Sequence, residues 1–153
     1  MMGTHWNTPW MYSAAASSVK FPRPEISAGA YILSALLVLV LPLNWLLGWL
    51  LAVTVHELGH IIALRLFKVR IYGMRIGVGG MKLDIPPLTP AQELICAAAG
   101  PVSSILLLAL AHHVPTAAVI GLFQGMFNLL PLYPLDGGRM CRAVWILLRE
   151  RGG

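Results

Sequence analysis

From Ala28 to Leu64 the chain runs for thirty-seven residues with Glu57 as its one formally charged side chain. A membrane crossing consumes roughly 20 apolar residues, so this stretch is long enough to enter lipid and return. Composition agrees with that reading: 58% of the 153 residues are hydrophobic and 11% are charged, against about a quarter charged in soluble domains. The expected class is an α-helical membrane protein. At this length it is expected to form one compact unit of about four transmembrane helices, with no appended regulatory or peptide-binding domain. An acid in the middle of the longest apolar run then needs a chemical reason.

The expected layout follows the apolar runs and their breaks. Residues 1–27 read as an irregular cytoplasmic or interfacial leader, with Trp6, Trp10 and Tyr12 suited to the interface. Residues 28–153 read as a polytopic core, and no small-residue cleavage site follows the first apolar run, so it is expected to be kept. Spans are expected over about 28–41, 45–67 and 91–111, and a fourth over 115–148. Between the second and third, "KVRIYGMRIGVGGMKLDIPPLTP" alternates apolar residues around Gly79-Gly80. That pattern predicts a short β-hairpin or re-entrant loop at the membrane edge. The fourth span is interrupted by "NLLPLYPLDGG", whose prolines and glycines break a helix. Broken backbone at membrane depth is tolerated where protein or a cavity covers it.

Charge supports this layout. The net charge is +5, but the basic residues flank apolar runs instead of forming a stripe on a polar domain, so nucleic acid is not an expected partner. All eleven Lys and Arg residues fall in the leader, the 65–90 loop and the C-terminus, or at the edges of these segments. The positive-inside bias then places both termini in the cytoplasm. Cys96 and Cys141 have neither metal-ligand spacing nor a disulfide framework, and both read as small core residues.

The chemistry lies in "HELGH" at 56–60. Residues four apart share a helix face, so His56 and His60 can offer ring nitrogens to one metal ion. Glu57 lies about 100 degrees further round, beside the place of a metal-bound water whose proton a carboxylate can accept. A catalytic zinc needs a third protein ligand and an open position. Asp136 is the candidate, as the other acid deep in an apolar segment. His112 and His113 read as interfacial residues, and Arg139, Arg142, Arg149 and Arg151 as cytoplasmic anchors.

"HELGH", "AAAGP" at 97–101 and "NLLPLYPLDGGRM" at 128–140, in this order and within membrane spans, resemble the site-2 protease family of intramembrane zinc metalloproteases. "GVGGMKLDI" before "ELICAAAGP" is most similar to the sporulation stage IV members. The resemblance implies that Zn2+ is held by His56, His60 and Asp136, with Glu57 as general base. It also implies that Asn128, Pro131 and Gly137 support the active site, and that the Gly79-Gly80 loop belongs to a strand that pairs with an unwound substrate. Ser104 stands where the family often has asparagine.

The expected function is hydrolysis of a peptide bond in or next to a transmembrane segment of a protein substrate, by Glu-assisted attack of zinc-bound water. The sporulation resemblance suggests a transcription-factor precursor as substrate. Expected partners are that membrane protein, a membrane-protein inhibitor or regulator, and the bilayer. The expected location is the bacterial cytoplasmic membrane. The alternative is a catalytically silent membrane scaffold of the same fold, which the retention of Glu57 and Asp136 disfavours. A metal transporter would need a polar trail to the other face, and the sequence has one cluster.

Overall fold

A computed structural model describes residues 24–77 and 80–152. Most of the expected leader, with Trp6, Trp10 and Tyr12, and Gly79 lie outside the described residues. Within them the order is β1 (Glu25–Ile26), α1 (Ala28–Val40), α2 (Leu43–Leu66), β2 (Gly73–Gly77), β3 (Gly80–Asp84), α3 (Pro90–Leu106), a 3-10 turn (Leu107–Leu110), α4 (Pro115–Asn128) and α5 (Asp136–Arg151).

Local chemistry sets these boundaries. Ser27 starts α1: its Oγ accepts the Ala30 N–H at 3.3 Å, while its own N–H donates to the Ile76 carbonyl at 2.9 Å. One residue thus joins strand to helix. At the end of α2, Lys68 N–H donates to Arg65 and Val69 N–H to Leu64, at 2.9 and 3.0 Å. This is a Schellman closure with Lys68 at φ 56°, where glycine is usual. Thr89 and Gln92 form a reciprocal capping box in front of α3, with Pro90 opening the helix.

The expected hairpin is present. β2 and β3 pair antiparallel with Ile76 opposite Met81, and an ion pair of 2.8 Å joins Arg75 to Asp84. The leader, expected to be irregular through residue 27, is corrected at its end. Glu25 and Ile26 pair in parallel with Arg75 and Ile76, giving the sheet order β1-β2-β3. A two-residue strand is too short to show alternation, and it exists because β2 offers it an edge.

Among the described residues, α2 and the stretch Pro90–Leu110 are long and apolar enough to cross a membrane. α1 is apolar but only 13 residues long. The region expected to be one broken span is two short helices, α4 of 14 residues and α5 with Asp136, Arg139, Arg142, Arg149, Glu150 and Arg151 in its sequence.

Packing explains how these helices come together. α3 lies against α2, α4 and α5, and α2 also lies against α4. The buried apolar set is dominated by Ala52, Ala63, Ala97, Ala117, Ala118 and Ala143, with glycines at the closest approaches. Large side chains point outward instead: Ile32, Leu36, Leu39, Leu66, Leu106, Phe123 and Phe127 are all exposed. Small residues inside and large apolar residues outside is the pattern of helices packed in lipid. Cys96 is buried as expected, but Cys141 is exposed, because α5 turns that face away from α3.

The α2–α4 contact can be tested at Gly48, where a Cβ would sit 2.8 Å from Thr116 Cγ2 and 3.1 Å from the Ala117 nitrogen. Gly48→Leu should destabilise the protein by about 1–3 kcal/mol or more. Leu50→Ala, on the outward face, should cost much less. Thermal unfolding midpoints of the two variants in the same mild detergent check the contrast.

Candidate metal centre

The site begins with the one-turn separation of His56 and His60 on α2, which brings their ring centroids to 5.0 Å. Against them α3 presents Cys96, Gly100 and Ser104, three residues at four-residue spacing and therefore on one helix face. The Cys96 carbonyl lies 2.7 Å from His60 Nδ1, and Ser104 Oγ lies 2.8 Å from His56 Nδ1. Between them a Cβ on Gly100 would overlap both imidazoles, so the glycine of "AAAGP" is what lets the rings lie against the helix. Ser103 Oγ adds a crosslink, 3.0 Å from the Val55 carbonyl and 2.7 Å from that of Gly100.

Asp136 arrives from the other end of the chain. After α4 the backbone breaks over 129–135, between Asn128 and the first residue of α5. The turn is tight: a Cβ on Gly137 would overlap the Leu129 and Leu130 carbonyls, and one on Gly138 would lie 2.6 Å from the Leu132 carbonyl. Two glycines let α5 start against the break, with Asp136 at its N-terminus, where the helix dipole favours a carboxylate.

The three side chains converge on one point. Asp136 Oδ2 lies 3.3 Å from His56 Nε2 and 3.2 Å from His60 Nε2, and the two Nε2 atoms are 3.3 Å apart. His56 and Asp136 are buried. A carbonyl oxygen can only accept, so the Cys96 contact puts a proton on His60 Nδ1, and in the neutral imidazole the Nε2 lone pair faces the carboxylate. Lone pairs facing one another repel, and a cation among them removes the repulsion. Zinc bonds of about 2.0–2.1 Å would hold tetrahedral ligand atoms about 3.3–3.4 Å apart. The donor set fits a metal ion in chemistry and in spacing.

Glu57 leaves α2 on a neighbouring face, and its Oε1 accepts the Met81 N–H of β3 at 3.2 Å. Gly80, at φ 102°, passes so close that a Cβ there would lie 3.0 Å from the same oxygen. The hairpin therefore meets the "HELGH" helix at its acid. Asn128 donates from Nδ2 to the Gln124 carbonyl of its own helix at 3.0 Å, and Pro131 is exposed in the break. Two outer partners, the Cys96 carbonyl and Arg139, did not stand out in the sequence as parts of a site, whereas Gly100 lay in "AAAGP" and Ser104 at a position where the family often has asparagine. The small residues at 96, 100 and 104 carried the available signal. Arg139, expected to be a membrane anchor, instead contacts Asp136 Oδ1 at 3.5 Å.

Peptidase family M50 matches residues 104–152. A zinc metalloprotease of Methanocaldococcus jannaschii is 31% identical over 108 residues, covering 61% of this chain and 32% of that protein. A Synechocystis sp. protein described as a candidate zinc metalloprotease is 33% identical over 122 residues, covering 65% and 32%. The match thus spans about a third of the length of each curated relative. Among solved structures, the site-2 protease from Methanocaldococcus jannaschii superposes with a TM-score of 0.63 at 25% identity, over 80% of this chain and 66% of that one. The chain thus shares the fold of a site-2 protease and carries a match to peptidase family M50 that runs through Asp136.

Proposed function

We propose that the protein is an intramembrane zinc metalloendopeptidase that cuts a peptide bond in or next to a transmembrane segment of another protein. The observation that carries this reading is the near-equilateral triangle of His56 Nε2, His60 Nε2 and Asp136 Oδ2, with edges of 3.2–3.3 Å and Glu57 one residue from the first corner. In this reading the core crosses the membrane about four times, with both termini in the cytoplasm, as the basic residues favour. Residues 28–153 are then the catalytic unit, preceded by the leader at 1–27.

His56, His60 and Asp136 hold the zinc. A zinc ion held there would supply Lewis acidity, polarising the scissile carbonyl and lowering the pKa of a bound water towards neutrality. Glu57 takes the proton of the attacking water as the new C–O bond forms. It then returns that proton to the amide nitrogen as the C–N bond breaks. The Met81 N–H points at Glu57 and not at β2, which puts the base at the far edge of β3. A substrate segment opened into extended form and added to that edge by strand pairing runs past the acid, and Gly80 gives it room. Gly137 holds Asp136 close to the break, and Asn128 and Pro131 shape the segment from α4 into it. The hairpin's resemblance to sporulation stage IV members makes an inactive transcription-factor precursor the first substrate to try, with a membrane-protein regulator as the further partner.

Two measurements test the reading. Zinc content per chain, in protein purified in mild detergent, should be about one in the wild type. Asp136→Ala should weaken zinc binding by more than the roughly 10–100-fold that loss of an outer partner costs. A well-folded wild type that takes up no zinc when supplied with it would point to the silent scaffold. Glu57→Gln should keep its zinc while cleavage falls by about 100- to 10,000-fold; full cleavage by that variant would remove Glu57 from the mechanism.

A further inference from the structure

The two carboxylate oxygens of Asp136 have different surroundings. Oδ2 faces both imidazoles, while Oδ1 faces the Arg139 guanidinium, with Nη1 at 3.5 Å, one turn along α5. Arg139 is itself braced from α3: its Nε lies 3.7 Å from Glu93 Oε1. Glu93 also receives Arg142 Nη2, at 2.7 Å to each carboxylate oxygen. The Glu93 side chain is 14% exposed, and that of Arg139 is 31% exposed. The chain of contacts therefore runs from solvent inwards, Arg142 to Glu93 to Arg139 to Asp136, and it ties the first turn of α3 to the first turn of α5.

We infer that Arg139, braced by Glu93, is a positioning residue that fixes Asp136 as a one-oxygen metal ligand. The inference rests on the reading of His56, His60 and Asp136 as the zinc site. Its physical basis is that a carboxylate beside a metal can bind through one oxygen or swing to bind through both. A guanidinium on Oδ1 competes for the second oxygen and holds the plane of the group. Partners of this kind typically contribute 10- to 100-fold to metal affinity.

Charge alone argues the opposite sign. A guanidinium near the site repels a dication, so if Arg139 acted only as a charge, its removal would tighten metal binding. Glu93 reduces that repulsion by placing a negative charge between Arg139 and Arg142, and the steering of Asp136 remains as the larger effect. Removing either partner should then weaken binding. Arg139→Gln loses the steering group, and Glu93→Gln both frees Arg139 and uncovers its charge.

The test is the zinc dissociation constant of the full chain in mild detergent, measured by competition with a chromophoric chelator. Arg139→Gln should bind about 10- to 100-fold more weakly, Glu93→Gln should weaken binding in the same direction, and Arg139→Lys should recover part of the loss. Cobalt(II) absorption supplies a readout that general loosening of the fold does not produce. With Oδ1 released in Arg139→Gln, the coordination number rises and the visible bands lose intensity, whereas Arg139→Lys keeps them. Thermal midpoints of the zinc-free proteins identify any variant that has lost its fold, and Arg139→Lys with Glu93→Gln then decides. Wild-type zinc that is lost in Asp136→Ala but bound equally or more tightly by Arg139→Gln would overturn this inference and leave the site reading standing. A wild type that binds no zinc would overturn both.

Discussion

Two imidazole nitrogens and a carboxylate oxygen, each within 3.3 Å of the other two, are the arrangement on which the rest of the molecule depends. Nothing local produces it beyond the spacing of His56 and His60. The third corner comes from a residue 76 positions after His60, and with neutral imidazoles the three lone pairs repel one another unless a cation lies among them. The fold answers with backbone proximity. Gly100 removes the atom that would displace the rings, Gly137 and Gly138 let α5 begin against the break, and small residues along α2, α3 and α4 draw the helices close. Glycine at these three positions has a steric reason that does not invoke flexibility.

Much of this was legible in the sequence. Apolar runs located α2 and α3 to within two residues at the termini of α2 and at the start of α3, because long apolar helices have few competing structures. The Gly79-Gly80 pair between alternating apolar residues gave the hairpin, and "NLLPLYPLDGG" gave the break. "HELGH" supplied two corners of the triangle, and the shortage of other deep acids supplied the third. The features that stayed hidden are those whose meaning is relational. A carbonyl at Cys96 carries no side-chain signature. Ser104 is an ordinary helical serine until His56 faces it. Arg139 and Arg142 look like membrane anchors by sequence, because a guanidinium near a span end normally seeks phosphate or water, and the proximity of Glu93 appears once α3 and α5 are placed side by side. β1 was hidden for the same reason, since two residues become a strand through their neighbour.

In the proposed membrane setting, lipid makes the outer partners more consequential than they would be in water. An ionisable group at membrane depth costs on the order of 2.5–3.5 kcal/mol on insertion scales, and this chain places a glutamate, two histidines and an aspartate in one region. Each has a named partner: Glu57 the Met81 amide, His60 the Cys96 carbonyl, His56 the Ser104 hydroxyl and Asp136 the Arg139 guanidinium. These contacts satisfy polar groups that could not be left bare, and they also fix the orientation of the atoms that do the chemistry. Polar satisfaction and preorganisation are thus the same set of bonds, and a substitution that weakens one weakens the other.

Two histidines and one carboxylate are also the donor set of non-haem iron oxygenases, where the ligands occupy one face of an octahedron, so residue types alone do not select the metal. The edges here, 3.2, 3.3 and 3.3 Å, are compatible with a tetrahedral zinc centre, whose bonds of about 2.0–2.1 Å put ligand atoms about 3.3–3.4 Å apart, and zinc is the metal of the similar proteins. An octahedral face leaves three open positions, whereas a tetrahedral centre with three protein ligands leaves one, which is the requirement for activating a single water. The placement of Glu57 beside the edge of β3 supports the proposed hydrolytic reading, because an oxygen-activating iron has no need of a carboxylate base there. Hydrolysis of an extended peptide lying along that edge needs one there.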